Sequence, residues 1–448
     1  PGRRVLRVRF RMIPSTSRSK PRTVERAAIV SIGDEFTIGQ SLDTNSKWLS
    51  ERLTALGLTV IEHVTVPDHL ALIVAATRRL VEACGTVIIT GGLGPTADDL
   101  TRDALAEVLG EPLVEDCASL VEIERWFARS SRPMPERNRV QALRPVSGVH
   151  LPNPNGTAPG IRVSAAMATL HCLPGPPSEM RPMFELHVRP HIVAPAGRVI
   201  RTRVLQAAGL GESDVAERLG GLMDRDRNPL VGTTASGGIV SVRVRDESSD
   251  SAALVDARVE ATLDQVRRAI DSAIFAEDDR PLATIIVERL RSRHQRLSVV
   301  ESCTGGMLGQ AITAVPGSSD AFAGGWITYS NELKRALVGV SGDTLDTRGA
   351  VSAEVASAMA RGGLERSAAD HTLAITGVAG PGGGSDAKPV GTVWIALASQ
   401  SGPPDVRRFH MRGEREAIRA WSVTSALLML DQRLRGVPMT RLLRQAEP

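Results

Sequence analysis

Aromatic residues make up only 3% of the 448-residue chain, and a single one is tyrosine. So few ring faces argue against a dedicated binder of single-stranded nucleic acid, which stacks bases on such rings. Cysteine occurs four times, at Cys84, Cys117, Cys172 and Cys303. None of these forms the close pairs that zinc or redox motifs use, so they read as buried free thiols. No stretch approaches the ~20 consecutive apolar residues that span a bilayer. No apolar segment follows the basic N-terminus as a secretory signal requires, so the expectation is a soluble, cytoplasmic chain with no membrane partner. His187 and His191 stand four apart, but Pro190 separates them and no glutamate sits where a zinc-protease helix carries one.

Hydrophobic residues, 42% of the chain, are interleaved with 23% charged residues, which excludes wholesale disorder. At ~100–200 residues per domain the length predicts about three domains. The net charge of +4 is unevenly placed: residues 1–26 carry nine Arg or Lys and one Glu, leaving the remainder at −4. The arm 1–26 reads as a disordered extension, with contact to nucleic acid or an anionic surface as the alternative. A mildly acidic body argues against nucleic acid as a partner.

From Ala27 onward short β-branched runs (AAIVSIG, LTVIEHVTV, TVIITGG) alternate with helical periods, the pattern of βαβ units and a parallel sheet. Helices are expected at 100–109 and 118–129, then a Pro/Gly/Asn-rich stretch at 151–160. A smaller unit from about residue 196 reads as strand, helix, strand and long amphipathic helix. The third unit starts after the turn 277–281, with strands LSVVES, HTLAITGV and GTVWIALAS and a closing helix at about 414–434.

Two constellations carry chemistry. The first is Thr90-Gly91-Gly92-Leu93-Gly94-Pro95-Thr96-Ala97-Asp98-Asp99, directly after a strand and before a helix. Glycines there let backbone N–H groups approach a ligand, and the helix start favours anions, so phosphate is the natural occupant. Asp98 and Asp99 beside it, with Asp68 after another strand, suggest a bridging Mg²⁺ or similar hard ion; helix capping is the alternative for the pair. The second is Glu301-Ser302-Cys303-Thr304-Gly305-Gly306. It places Ser302 at a strand's C-terminal end, where N–H groups of the following helix would stabilise charge developing on attack. No histidine lies near it in sequence. Lys334 is the only lysine between residues 301 and 380. Burial can turn a lysine into a neutral base, which arginine cannot become, so a Ser–Lys dyad is available. On spacing alone Ser302 could equally be an N-cap and Lys334 a solvated helix residue, with Cys303 a rival nucleophile expected to pack inward.

These residues carry a resemblance. Gly33-Asp34-Glu35, Asp43-Thr44-Asn45, Val66-Pro67-Asp68 and the 90–96 loop, followed by Asn155-Gly156-Thr157 and 173–180, resemble the MoaB/Mog-like molybdopterin-binding domain in its CinA-family version. The segments ESCTGG, ITYSNELK, TGVAGPGGGSDAKPVGTVWIA and the late GERE are similar to the nicotinamide mononucleotide (NMN) deamidase domain of the same family. The fold class implied is α/β: a three-layer MoaB/Mog-like domain over 27–195, a small KH-like α+β domain over 196–276 and an α/β deamidase domain over 282–448.

The resemblance implies pyridine-nucleotide salvage by NMN hydrolysis. Ser302 would be nucleophile and Lys334 base, with Tyr329 catalytic, and Thr304, Gly305, Gly306, Ser319, Thr376, Gly377 and Arg415 would contact substrate, without a cofactor. It implies an N-terminal nucleotide site of Asp43, Asp68, Gly91, Gly92, Gly94, Thr96, Asp98, Asp99 and Asn155, holding a divalent metal through Asp99 and Asp68 and splitting ADP-ribose. A homodimer is implied as well. The middle segment lacks the GXXG clamp of an RNA-binding KH fold, the nearest candidate being Leu219-Gly220-Gly221-Leu222, and reads as a spacer or oligomerisation element. A non-catalytic nucleotide or pterin sensor, and a competence or DNA-damage accessory, are the competing readings.

Overall fold

The computed structural model describes residues 25–192, 197–438 and 440–446, so the basic arm at 1–24 lies outside the described residues. The chain divides into two compact units, one running to Ile200 with Ser248–Ser251, the other Arg201–Glu247 with everything from Ala252 on. Among the described residues no helix is long and apolar enough to cross a membrane.

The first unit is built on a six-stranded sheet in the spatial order Thr59–Val66, Arg26–Ile32, Thr86–Thr90, Ala168–Leu173, Gly160–Ala165, Val149–Leu151. The first four strands are parallel and the last two antiparallel. Thr86–Thr90 is buried at every position, as a strand covered on both faces must be. Two apolar clusters cover it, one centred on Ile73, Leu80, Val87 and Leu105, the other on Leu49, Leu53, Ile88 and Phe184. Arg26–Ile32 has its two successors in sequence on opposite sides, so the crevice beyond its C-terminal end is a topological switch point, where open α/β sheets bind ligands.

In the second unit a four-stranded sheet in the order Leu230–Ser236, Ile239–Ser248, Val199–Ala208, Ile274–Ala276 packs helices Glu212–Leu219 and Ala252–Ile270. The sequence reading held one strand where the chain makes a hairpin: Leu230–Ser236 and Ile239–Ser248 pair antiparallel around Gly237-Gly238, both at positive φ. Gly220 and Gly221 lie in a short 3-10 turn, Gly220–Met223, that closes a helix. The hairpin turn abuts Trp421 and Thr424 of the last helix, where a Cβ at Gly238 would strike the indole. Arg289 and Arg435, ion-paired to the fully buried Asp431, donate to the carbonyls of Phe275 and Ile274, joining this sheet to the helices of the C-terminal sheet.

That C-terminal sheet runs Phe322–Ile327, Leu297–Glu301, His371–Gly377, Thr392–Ser399, Asp405–His410, three parallel strands and then two antiparallel. The central strand Leu297–Glu301 is buried throughout. Helices Leu282–Ser292 and Arg415–Arg435 cover one face, and Ala353–Arg366 the other. Again the second strand in space is the first in sequence, so the switch point falls where Ser302 leaves the sheet.

Helix Ala353–Arg366 approaches helix Asn331–Val338 so closely at Gly362 that a Cβ there would overlap the Val338 carbonyl. Gly362→Ala is expected to destabilise the chain by ~1–3 kcal/mol through overpacking. Urea unfolding checks this, and an unchanged midpoint would contradict the packing.

Candidate functional sites

Ser302 follows the buried strand directly, and its N–H donates to the Ile375 carbonyl of the neighbouring strand at 3.0 Å. Lys334 sits on helix Asn331–Val338, whose N-cap Ser330 accepts from the Leu333 N–H at 3.2 Å. The loop before that helix is tied to the nucleophile strand by a 2.7 Å bond from Thr328 N–H to the Glu301 carbonyl. This brings the Lys334 Nζ to 3.0 Å from the Ser302 Oγ, with Lys334 1% and Ser302 8% exposed. The same Nζ donates to the carbonyls of Thr328 at 2.8 Å and Tyr329 at 3.3 Å. Ser302 therefore caps no helix, and Lys334 is not a solvated residue.

An ammonium would use all three of its N–H bonds on these three oxygens. A neutral amine would satisfy the two carbonyls with its two N–H bonds and leave its lone pair facing Ser302, ready to accept the hydroxyl proton. Burial favours the second form: it pushes the Lys334 pKa below the ordinary lysine range, against a smaller opposing influence from Cys303 and Glu332. Cys303 packs into the apolar cluster, and burial pushes its thiol up to about 11, so it is a poor nucleophile.

The helix start after Ser302 does not present its N–H groups as the sequence suggested. The buried Glu301 carboxylate accepts from Gly306 and Leu308 at 3.0 Å and from Gly309 at 2.8 Å, occupying the donors of helix Met307–Thr313. Gly305 and Met307 donate to the Ser302 and Thr304 carbonyls. Among the described residues the N–H groups of Cys303 and Thr304, which follow Ser302 directly in sequence, donate to no other residue and are the candidate oxyanion donors. Gly305 and Gly306, at φ 58 and 97°, make the left-handed turn that permits this.

Other expected contacts are placed differently. The Tyr329 hydroxyl meets Arg415, not the dyad: Arg415 donates to it at 3.2 Å and to the Gly380 carbonyl at 2.7 Å, leaving further guanidinium donors for an anion. Tyr329 serves the dyad through its carbonyl. Thr376 turns its hydroxyl to the Ala350 carbonyl at 2.8 Å, and Gly377 is required because a Cβ would meet Thr392 and Val393, so both have structural duties at the strand end. Ser319 lies exposed on the 3-10 turn Ser318–Asp320, and the hydrogen bonds of Ser302 and Lys334 do not include it. Sequence reasoning missed Glu301, quoted but given no role, and Arg419, which donates to the Thr304 carbonyl at 2.7 Å and so fixes the turn carrying the two free N–H groups. The available signal for Arg419 was its position four residues after Arg415, on the same helix face.

In the first unit a cavity of about 430 Å³ opens at the switch point, lined by Gly91, Gly92, Gly94, Asp68, Asp98 and Asp99 together with Glu35, Asn45, Gln141 and Glu179. Gly91 and Gly92 have φ of 100 and 65°, and Cβ atoms there would run into the Ile32 carbonyl and the Thr101 hydroxyl. Three of the loop's carbonyls are held by side chains: Arg102, 4% exposed, donates to Leu93 at 2.8 Å and Gly94 at 2.7 Å, and Thr101 donates to Gly91 at 2.7 Å.

Asp99 is the loop's internal brace. Its carboxylate accepts from the N–H groups of Gly94 at 2.7 Å and Thr96 at 2.8 Å, and from the Thr96 hydroxyl, so it is committed to its own loop; it does not cap the following helix, whose N-cap is Leu100. Thr96 is engaged in that brace. Asp43 caps helix Thr44–Ala55, accepting from Ser46 N–H at 2.9 Å and from the Ser31 hydroxyl at 2.7 Å, and does not line the cavity. Asn155 donates to the Ser178 carbonyl at 2.8 Å and is likewise outside the lining. Asp68 remains: burial, and then the like charges of Asp34, Glu35 and Asp98, push its pKa up against the N–H bond from Asp34. Among the described residues no group of three or more His, Cys, Asp or Glu is arranged to hold a metal by itself. One or two carboxylates beside a phosphate cup still fit a Mg²⁺-type ion, which completes its shell with substrate oxygens and water. His191 donates through Nδ1 to the His187 carbonyl at 3.0 Å if that nitrogen carries the proton, a helical contact and not a metal pair.

Three family models match in chain order: "Probable molybdopterin binding domain" over residues 28–194, "Damage-inducible protein CinA KH domain" over 202–276 and "CinA C-terminal domain" over 279–434. A relative from Moorella thermoacetica, whose name places it among competence-damage inducible proteins, is 41% identical over 415 residues, 92% of this chain and 99% of its own length. A CinA-like protein from Parasynechococcus marenigrum is 41% identical over 412 residues, 91% of this chain and 97% of its own. Among solved structures, a competence/damage inducible protein from Agrobacterium tumefaciens is 42% identical with a TM-score of 0.33, covering 34% of this chain and 93% of that one.

A serine-directed phosphonylating probe tests the dyad without any substrate. The labelling rate at Ser302 is expected to rise with pH as Lys334 loses its proton, with a midpoint below the ordinary lysine range. It should fall at least tenfold in Lys334→Ala and not recover in Lys334→Arg, whose guanidinium stays charged. Labelling of Lys334→Ala at the wild-type rate would contradict the assignment.

Proposed function

The chain belongs to the CinA family, and from that premise we propose that its C-terminal part is a nicotinamide-nucleotide amidohydrolase, converting NMN and water to nicotinic acid mononucleotide and ammonia. The observation that carries this reading is the buried amine of Lys334 held 3.0 Å from the Ser302 hydroxyl by two carbonyls. As Ser302 Oγ attacks the carboxamide carbon, its proton passes to Lys334 Nζ and the carbonyl electrons move to the oxygen, which the Cys303 and Thr304 N–H groups face. The tetrahedral adduct collapses with cleavage of the C–N bond while Lys334 returns the proton to the departing nitrogen, leaving an acyl ester on Ser302. Water, deprotonated by the same amine, then releases the acid and restores the hydroxyl. Arg415, with donors to spare near the mouth of this arrangement, is the contact for the substrate phosphate.

For the N-terminal unit the proposal is hydrolysis of ADP-ribose to AMP and ribose 5-phosphate. Its support is a glycine-walled cavity beside a carboxylate, Asp68, whose pKa is raised first by burial and then by the like charges of Asp34, Glu35 and Asp98, which a cation would relieve. A bound divalent ion would neutralise phosphate oxygens there; Asp68 and Asp98 would hold it, and Glu179, its pKa raised by burial, is the candidate to move a proton. The commitment of Asp99 to its own loop favours a second reading, a nucleotide-binding module without turnover.

Ammonia release from NMN is expected to drop by on the order of 10³-fold or more in Ser302→Ala and in Lys334→Ala, with the double variant little worse than either, since the pair acts as a unit. Arg415→Ala should raise KM about tenfold with a smaller change in kcat. Wild-type turnover in Lys334→Ala would end the reading. In the other unit, AMP formation from ADP-ribose should require added divalent ion and be lost in Asp68→Asn; saturable binding with no product would select the binding module.

A further inference from the structure

Next to the glycine cup lies a larger cavity of about 870 Å³. Ile123 and Trp126 of helix Cys117–Arg129, with Val149, Pro152 and Pro154 of the facing segment, give it apolar walls. The Arg129 guanidinium lies over the Trp126 ring, 5.5 Å from its centroid, and together they form a flat platform. At the polar end Asp116 and Arg144 are already paired, while the buried Nε2 of His150 has no partner and is open to a ligand's donor or acceptor. Arg144 donates to Asp116 at 3.0 Å and to the carbonyls of Pro145 and Val146. His150 is paired with the Ser119 hydroxyl at 2.7 Å, and burial holds its pKa at about 4, so the imidazole is neutral. A cavity with this lining suits a neutral planar group better than an anion.

The partition between this cavity and the cup is one loop thick. Thr157 lines both. Asn153, on the side of the larger cavity, donates at 2.6 Å to Glu179, on the side of the cup, and a Cβ at Gly156 would run into that same carboxylate. Thr157 and the Asn153–Glu179 bond are therefore the boundary that a nucleotide with its phosphates at the glycine loop crosses to place its ring in the larger cavity.

We propose that the larger cavity receives the planar base of a nucleotide whose phosphates occupy the glycine cup, the base lying on the Trp126–Arg129 platform. This rests on the nucleotide reading of the cup and adds the recognition of the base, with residues that no motif of the chain had marked. Stacking of this kind tolerates different bases, so discrimination between purines is expected to be weak.

Calorimetric binding to the full chain tests it, with inorganic pyrophosphate, ribose 5-phosphate, ADP and ADP-ribose as probes, on wild type, Trp126→Ala and Trp126→Phe. Trp126→Ala should weaken ADP and ADP-ribose at least tenfold and leave pyrophosphate and ribose 5-phosphate unchanged, which also reports an intact cup; Trp126→Phe should recover most of the loss. An unchanged ADP affinity in Trp126→Ala overturns the proposal, and so does a wild type that binds no ADP. A Trp126→Ala variant altered only in oligomeric state by light scattering overturns it too, assigning the cavity to a second copy of the chain. Trp126-dependent ADP binding without AMP formation from ADP-ribose upholds the base site and removes the pyrophosphatase reading alone.

Discussion

An amine with nowhere else to put its hydrogens organises the C-terminal site. Lys334 reaches Ser302 from a helix that is itself pinned to the nucleophile strand through Thr328, and the carbonyls of Thr328 and Tyr329 take two of its N–H bonds. What faces Ser302 is then either a third N–H or a lone pair, and burial shifts the balance toward the lone pair. Every other feature of this region serves that arrangement. The parallel strands deliver Ser302 and the loop before Lys334 to one edge of the sheet, and Lys334 is buried there at 1% exposure.

Both units use the same topological device and complete it with opposite chemistry. In each, the first strand in sequence lies second in space, and a glycine-containing turn occupies the switch point. After Leu297–Glu301 a buried carboxylate, Glu301, takes donors of the following helix at Gly306, Leu308 and Gly309. After Thr86–Thr90 a buried arginine, Arg102, takes the loop's carbonyls, while Asp99 braces its bend.

The strands that carry both motifs, the motifs' positions at strand ends and the closing helix, expected near 414–434 and found at Arg415–Arg435, were legible because apolar period and glycine placement are local signals; the strand order that makes those ends switch points was not. What was not legible was the direction in which a polar side chain spends its hydrogen bonds. Asp43, Asp99, Asn155 and Thr376 are residue types that bind ligands or brace backbone with equal chemical ease, and only the fold shows that here they brace. Glu301 was hidden by the same ambiguity, and the Trp126 cavity because its walls come from segments separated in sequence. The middle hairpin was missed because its strands are joined by two glycines that read equally well as a turn within one strand.

The protonation state of one nitrogen is the claim on which the catalytic account stands. Selective ¹⁵N labelling of lysine and an NMR titration of the Lys334 Nζ measures it directly. The account predicts deprotonation well below the ordinary lysine range and a change in that midpoint on Ser302→Ala; a Lys334 that stays protonated up to the pH where free lysine titrates would contradict it.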